Sequence, residues 1–201
     1  MSDITLPVLS RAGPPELTWE LWSNTQAFVS PLSRSMQTVE NPGARWRCAF
    51  GYKNLGEADA SILQAALAQL RGQANRLLVP NYARLNPRGT IAGQSPTVNG
   101  AGQTGNTLVL ANCGAAKTFL RGDYFKVNGE FKMVTVDSTS DGAGALTVTF
   151  EPPLRVSPAN AAPVTLASPT CRMVIEQDKA GWLTRAPLFT DVNLSLIESF
   201  T

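Results

Sequence analysis

The chain has 201 residues, of which 43% are hydrophobic and 16% are charged. Its length allows one large domain or two small ones with a true core, and the hydrophobic fraction is too high for a disordered chain. The 17 basic and 15 acidic side chains nearly cancel, which leaves no electrostatic footprint for nucleic acid or an anionic membrane. A surface with so few charges suits a subunit that buries much of itself against other subunits.

The N-terminal sequence and the cysteines give no indication of secretion. MSDITLPVLS lacks a basic region followed by a long apolar run, so we expect no secretory signal. No stretch approaches the roughly 18 continuous apolar residues of a transmembrane helix. Cys48, Cys113 and Cys171 are odd in number and widely spaced, which predicts buried free thiols in a protein made in a reducing cytosol.

The first part of the chain predicts strands. Residues 17–22 and 45–50 alternate apolar and polar side chains, which is the period of a half-buried strand. Between them, Asn41-Pro42-Gly43 is a turn sequence. We therefore predict a hairpin formed by residues 35–40 and 44–51.

A helix is predicted over residues 57–71. Asn54 and Glu57 stand at the spacing of a capping box, and Gly72 is a natural stop. The apolar stripe expected to face the core has helical spacing and consists of Ile62, Leu63, Ala66, Leu67 and Leu70.

The second half of the chain predicts a long loop and then more strands. Residues 86–106 hold five glycines and two prolines, a composition typical of a loop or connector. Strands are predicted at 107–113, 145–152, 171–177 and 191–200.

A hairpin is predicted with particular clarity in GDYFKVNGEFKMVTV, residues 122–136. Asn128-Gly129 readily adopts the positive φ angles of a two-residue turn, and the flanking runs are rich in aromatic and β-branched residues. In such a hairpin Phe125 faces Lys132 and Lys126 faces Phe131.

The order of these elements predicts a mainly β fold with one α-helix. We expect a β-sandwich domain made of residues 1–83 and 169–201. It is interrupted by a small inserted β-barrel domain at residues 84–168.

The residues that usually carry enzyme chemistry are sparse. The chain has no histidine, which removes the commonest general base and zinc ligand. The sequence from Gly100 to Gly105 reads G-x-G-x-x-G, but it lies between a proline-interrupted loop and a strand, where a dinucleotide site needs a helix. We therefore expect no catalytic residue, metal or cofactor.

The predicted barrel leaves two hypotheses open, glycan binding and glycoside hydrolysis. The aromatic residues Tyr124, Phe125 and Phe131 are candidate glycan contacts, because barrels of this kind stack aromatic rings on sugars. The alternative interpretation places them in the core beside snorkelling lysines. A hydrolase would need two carboxylates flanking a glycosidic bond, and the candidates are Asp123, Glu130, Asp137, Asp141 and Glu151.

The chain resembles the distal tail proteins, or minor tail proteins, of long flexible-tailed bacteriophages. The resemblance spans roughly residues 17–185 and rests on four segments and their order. They are GARWRCAFGYKNLGEADASILQAALAQLRGQANRLLVP with its Leu70-Arg71-Gly72 motif, GDYFKVNGEFKMVTV, ALTVTFEPPLR and PTCRMVIEQDKAGW.

The resemblance implies a structural virion component without enzyme activity. The β-sandwich would be a belt domain that closes, usually as a homohexamer, into a ring at the end of the tail tube. The barrel would project outward, and the ring would join the tube to the baseplate hub. The implied partners are the ring itself, the tail tube protein, and the hub and tape-measure proteins, with no membrane insertion or specified nucleic-acid contact.

The resemblance also implies a location at the virion tail tip, after synthesis in the host cytoplasm. Strands 44–50 and 191–200 are our candidates for edges that pair across subunits. The alternative function is a carbohydrate-binding tail module that attaches to host surface glycans through the inserted barrel.

Overall fold

The computed structural model describes residues 1–10 and 13–200 and shows a mainly β fold with one α-helix, as predicted. The first strands are β1 Asp3–Thr5, β2 Glu16–Trp22, β3 Thr25–Val29, β4 Met36–Glu40, β5 Arg45–Leu55 and β6 Arg76–Pro80. Helix α1 spans Glu57–Leu70, and a 3₁₀ turn spans Gly72–Ala74. The later strands are β7 Thr97–Val98, β8 Gly105–Ala111, β9 Thr118–Phe119, β10 Tyr124–Val127, β11 Glu130–Val134, β12 Ser138–Thr139, β13 Leu146–Leu154, β14 Val164–Thr165, β15 Thr170–Ile175, β16 Trp182–Arg185 and β17 Phe189–Glu198.

Seven strands from the two ends of the chain form one sheet, which we name the belt sheet. Its order is β1-β6-β15-β17-β5-β2, and β16 pairs with β17 beyond the end of β15. Alternation along the strands sends one set of side chains into a core. The central strands contribute Trp46, Cys48, Phe50, Tyr52, Leu77, Val79, Cys171, Met173, Ile175, Val192, Leu194 and Leu196.

Helix α1 packs on this inner face of the belt sheet. Its buried residues are Ala60, Leu63, Ala66, Leu67 and Leu70. The prediction for Ile62 was wrong, because its side chain is 47% exposed and Ala60 completes the stripe instead. The predicted capping box was also wrong: the N-cap is Gly56, without a side-chain hydrogen bond. Asn54 instead donates its backbone N–H to Asp191 at 2.9 Å.

The six strands of the second sheet lie within residues 97–165, in the order β14-β10-β11-β13-β8-β7. Its ends approach each other, since Val164 N–H donates to Pro96 at 3.0 Å and Val98 N–H donates to Ala162 at 2.9 Å. We name this nearly closed sheet the small barrel. Its separate core includes Ile91, Leu108, Leu110, Cys113, Phe119, Phe125, Val127, Val134, Leu146, Val148, Phe150, Val164 and Leu166.

Strands β10 and β11 form the hairpin predicted at 122–136, which we name the inner hairpin. The register pairs Phe125 with Lys132 and Lys126 with Phe131, so the predicted pairs are confirmed. Asn128 and Gly129 have φ angles of 48° and 81°, as a two-residue turn of this type requires. One face of the hairpin fills the small barrel, and the other packs on the belt sheet.

Two predictions about strand neighbours were wrong. Strand β4 pairs with β3, so residues 35–40 and 44–51 do not form a hairpin. Residues 44–50 and 191–200 are not sheet edges either, because β5 lies between β2 and β17, and β17 lies between β5 and β15. Among the described residues, the belt sheet ends at β2 on one side and at β1 and β16 on the other.

Candidate assembly surfaces

Residues 25–40 form an isolated hairpin of β3 and β4 that we name the arm. Every residue of both strands is exposed. Val29 and Met36 are paired on one face, while Phe28 and Val39 lie on the other. Leu32 in the connecting turn is 95% exposed. A two-stranded ribbon is at best marginally stable in water, and the apolar side chains on both of its faces make the arm a candidate contact surface.

A second exposed apolar hairpin is formed by β16 and the start of β17, residues 182–192, and we name it the lower hairpin. Its exposed side chains are Trp182, Leu183, Leu188 and Phe189. Polar contacts hold its two strands together: Thr184 and Thr190 share a hydroxyl hydrogen bond of 3.1 Å, and Arg185 pairs with Asp191 at 2.6 Å. The apolar side chains are therefore displayed on an ordered frame.

The arm and the lower hairpin lie at opposite ends of the belt sheet. The arm follows Trp22, which pairs with Arg45 at the start of β5. The lower hairpin contains Thr190, which pairs with Leu55 at the end of β5. The ten residue steps along β5 correspond to roughly 30 Å. The described residues therefore carry one exposed apolar hairpin at each end of the belt sheet along the strand direction.

The outer face of the belt sheet is polar, and we name it the open face. Thr18, Asn193 and Ser195 are exposed on it. Its charges pair with one another: Lys53 with Glu16 at 2.8 Å, and Arg47 with Glu176 at 2.8 Å and Glu20 at 3.6 Å. Because the charges are mutually compensated, this face suits contact with water more than tight protein packing.

A groove of about 820 Å³ lies between the base of the arm and the small barrel. Pro152, Pro153 and Leu154 line it from the barrel, and Trp22 and Phe200 line it from the belt sheet. Two guanidinium groups lie over the Phe200 ring, with Arg45 at 4.5 Å and Arg155 at 3.9 Å from its centroid. These cation–π contacts fix the ring at the junction.

The three predicted glycan contacts lie in the interior. Phe125 has no exposed surface and belongs to the barrel core, while Phe131 is equally buried and belongs to the belt core. Tyr124 is half-buried and stacks on Phe131 at 5.0 Å. The structure therefore does not support them as glycan contacts, since a sugar needs an exposed ring face. The alternative interpretation as core residues describes them better.

The barrel carboxylates are each engaged in structural contacts. Asp123 is buried and accepts the Arg88 backbone N–H at 3.1 Å. Asp141 accepts the backbone N–H groups of Ala143 and Ala145 in a turn. Glu151 accepts a hydrogen bond from Asn106 at 3.4 Å.

The two other barrel carboxylates are held by cations. The Arg121 backbone N–H and guanidinium lower the pKa of Asp137. Glu130 is buried against Lys132 at 2.6 Å. Each carboxylate thus has a structural contact of its own.

The glycine motif at 100–105 is a loop that leads directly into β8. Gln103 holds it, since its side-chain amide donates to Asn99 and its oxygen accepts the Val109 N–H at 2.6 Å. A strand follows the motif where a dinucleotide site has a helix.

The three thiols are free and buried, as predicted. Burial raises the pKa of Cys48 to about 12 and that of Cys113 to about 11, and it raises the pKa of Cys171 as well. Within residues 1–10 and 13–200, no group of His, Cys, Asp and Glu side chains is arranged to hold a metal ion. Over the same residues, no helix has the length and apolar character to cross a membrane.

Sequence reasoning missed the arm. Its signal was present in QAFVSPLSRSMQTV, where apolar residues occur at both odd and even positions around a Ser-Pro turn. In comparisons with known proteins, the chain matches no protein-family model and no curated protein. The surfaces described above and the motifs in the sequence are therefore the features that bear on function.

Proposed function

We propose that this protein is a structural virion subunit that forms a ring, as a homohexamer, at the distal end of a phage tail tube. The ring joins the tube to the baseplate hub or tail tip. The observation that carries this proposal is the belt sheet, with different free edges at its two sides and an exposed apolar hairpin at each end. Such a subunit has more contact surfaces than a monomer uses.

Ring closure needs two different surfaces that fit each other, because a cyclic contact is heterologous. The belt sheet offers β2 as one free edge and β1 with β16 as the other. Their unpaired backbone groups are suited to strand addition between neighbouring copies. The sheets of successive subunits then continue around the ring.

The two ends of the belt sheet face the proposed axial partners. The arm and the lower hairpin provide apolar contacts to the tail tube protein at one end and to the hub at the other. The open face lines the channel, where the tape-measure protein passes. Its self-paired charges, such as Lys53 with Glu16, suit a wall that faces water.

The proposed role is non-enzymatic and requires no cofactor. The protein is made in the host cytoplasm and incorporated into the tail tip. The motifs GDYFKVNGEFKMVTV and ALTVTFEPPLR support this assignment through their resemblance to distal tail proteins.

Mass photometry and negative-stain imaging of the purified protein test the proposal. We expect ring-shaped particles of about six times the 21.5-kDa chain mass. Phe28→Ser with Leu32→Ser removes apolar contacts from the arm and should weaken the binding of the rings to tail tube protein, while the ring fraction stays unchanged. The matched control is Val136→Ser with Val156→Ser, which changes two exposed apolar residues outside the arm and the lower hairpin.

A protein that stays monomeric at micromolar concentration, with or without tail tube protein, contradicts the proposed function. Equal binding of tail tube protein by the arm variant and the control would exclude the arm as a contact to the tube.

A further inference from the structure

A buried ion pair joins the small barrel to the last strand of the belt sheet. Arg155 directly follows β13 of the barrel, and Glu198 ends β17. Two nitrogen atoms of the Arg155 guanidinium donate to the two carboxylate oxygens of Glu198, at 2.8 and 2.7 Å. The Glu198 side chain is 3% exposed. A two-pronged contact of this kind fixes both distance and orientation.

The same ion pair reaches the base of the arm. The Arg155 guanidinium also donates to the Ala44 carbonyl at 3.0 Å, and Glu198 accepts the Trp46 backbone N–H at 3.0 Å. Ala44 and Trp46 flank the start of β5, close to the point where the arm leaves the sheet. Arg155, the first residue after the last long strand of the barrel, therefore contacts both the end of β17 and the start of β5 near the arm.

A second ion pair anchors Arg155 on the barrel side. Glu130 accepts the backbone N–H groups of Arg155 and Val156, each at 3.1 Å. Lys132 pairs with Glu130 and donates to the Pro153 carbonyl at 2.8 Å. Burial lowers the pKa of Lys132, and the Glu130 carboxylate opposes that change. The segment that carries Arg155 is thus fixed to the inner hairpin.

Most of the remaining contact between the two units is apolar, apart from single hydrogen bonds from Trp46 Nε1 to the Phe131 carbonyl at 3.0 Å and from Lys126 Nζ to Thr170 at 3.2 Å. Trp19, Trp46 and Tyr124 surround the Phe131 ring, at centroid distances of 5.3, 5.9 and 5.0 Å. Apolar contacts are strong but largely non-directional. This cluster can hold the barrel against the sheet, whereas the directional contacts at Arg155 can set its angle.

We propose that Arg155 is a clasp that fixes the orientation of the small barrel on the belt sheet and ties that orientation to the base of the arm. The barrel is then a rigid extension of the sheet and not a tethered module. This proposal stands apart from ring formation, because all of its contacts lie within one chain.

Distance measurements between spin labels test the clasp. Labels at Val136→Cys on the barrel and Ser195→Cys on the open face sample the angle between the two units, and labelled chains are diluted into unlabelled protein. The native thiols are buried and should not compete for the label. We expect a narrow distribution in the parent protein and a distribution about twice as wide in Arg155→Met.

Two further variants separate orientation from stability. Arg155→Met leaves the Glu198 carboxylate buried without its partner, which is destabilising by itself. The double variant Arg155→Met with Glu198→Gln has no unpaired buried charge, but it also lacks the clasp. Its distance distribution should therefore remain wide. Arg121→Met is the matched control, because the ion pair of Arg121 with Asp137, at 2.9 Å, joins two residues of the same barrel unit.

Hydrogen exchange gives an independent measure in the same variants. The Trp46 and Val156 amides, which donate to Glu198 and Glu130, should exchange about tenfold faster in the double variant than in Arg121→Met. Amides in the centres of both sheets should keep their protection. The clasp proposal would be overturned if the double variant kept the parent's narrow distance distribution and its amide exchange rates. It would also be overturned if the distance distribution of Arg121→Met were as wide as that of Arg155→Met.

Discussion

The chain contains two hairpins of similar length with opposite environments. The inner hairpin is covered on both faces, with Phe125 in the barrel core and Phe131 in the belt core. The arm is exposed on both faces, and its Phe28 is 58% exposed. Both hairpins carry apolar side chains on each face. The difference lies in the cover: within the described residues, the inner hairpin has other strands packed on both faces, whereas the strands of the arm are exposed on both.

The largest expected effect comes from replacing one phenylalanine with alanine in each hairpin and comparing the two free energies of unfolding. Phe131→Ala empties the centre of the aromatic cluster, and we expect it to lower the free energy of unfolding by about 3–5 kcal/mol. Phe28→Ala removes little intramolecular burial and should change that free energy by less than about 0.5 kcal/mol. Urea denaturation followed by tryptophan fluorescence measures both. Similar losses in the two variants would contradict the assignment of the arm as exposed.

The two cores on either side of the inner hairpin each contain a buried thiol that makes the free energy of unfolding depend on pH in the alkaline range. Burial raises the pKa of Cys48 to about 12 and that of Cys113 to about 11. The folded state keeps these protons while the unfolded chain loses them above its own thiol pKa of about 8.5. Stability is therefore full below that pH and falls as pH rises through the folded values.

The expected loss from Cys48 by pH 11 is about 3 kcal/mol. Cys48→Ala should flatten the fall in the free energy of unfolding between about pH 9 and 11. Denaturation curves at several pH values measure this slope for the parent and the variant. An unchanged slope would mean that the Cys48 thiol is accessible in the folded state.

Local patterns in the sequence predicted the inner hairpin more completely than its surroundings. The turn residues and the pairs Phe125–Lys132 and Lys126–Phe131 are fixed by a two-residue loop, so the register followed from spacing alone. The cover on each face comes from residues far along the chain, such as Trp19 and Phe150. No local pattern contains that information.

Long-range pairing also explains why the predicted sheet edges were wrong and why the sequence did not predict the Arg155–Glu198 ion pair. A period-two pattern identifies the buried face of a strand but not its neighbours, so it does not reveal that β5 and β17, predicted as edges, are internal. Arg155 and Glu198 are 43 residues apart. Each looks like an ordinary surface charge in sequence. The fold class was predictable because it depends on element types, while edges and ion pairs depend on topology.

Turn geometry gives a smaller test of the inner hairpin. Gly129 has a φ of 81°, where any side chain is strained. A Cβ atom there also comes within 2.7 Å of the end of the Arg172 side chain, which can move away. Gly129→Ala should therefore cost about 1–2 kcal/mol, mainly from the backbone. A loss below about 0.5 kcal/mol, measured by thermal or urea unfolding, would contradict this turn type.

The smallest expected effect lies in the turn of the arm, where Arg34 has a positive φ of 56°. Arg34→Gly relieves backbone strain of about 1 kcal/mol but adds about 0.4–1 kcal/mol of entropy to the unfolded chain. The two terms nearly cancel, so the free energy of unfolding should stay within about 0.5 kcal/mol of the parent. Urea denaturation of Arg34→Gly beside Gly129→Ala measures this contrast. A large loss in Arg34→Gly would mean that the arm turn, like the inner hairpin turn, is held by contacts within the chain, and the contrast between the two hairpins would fail.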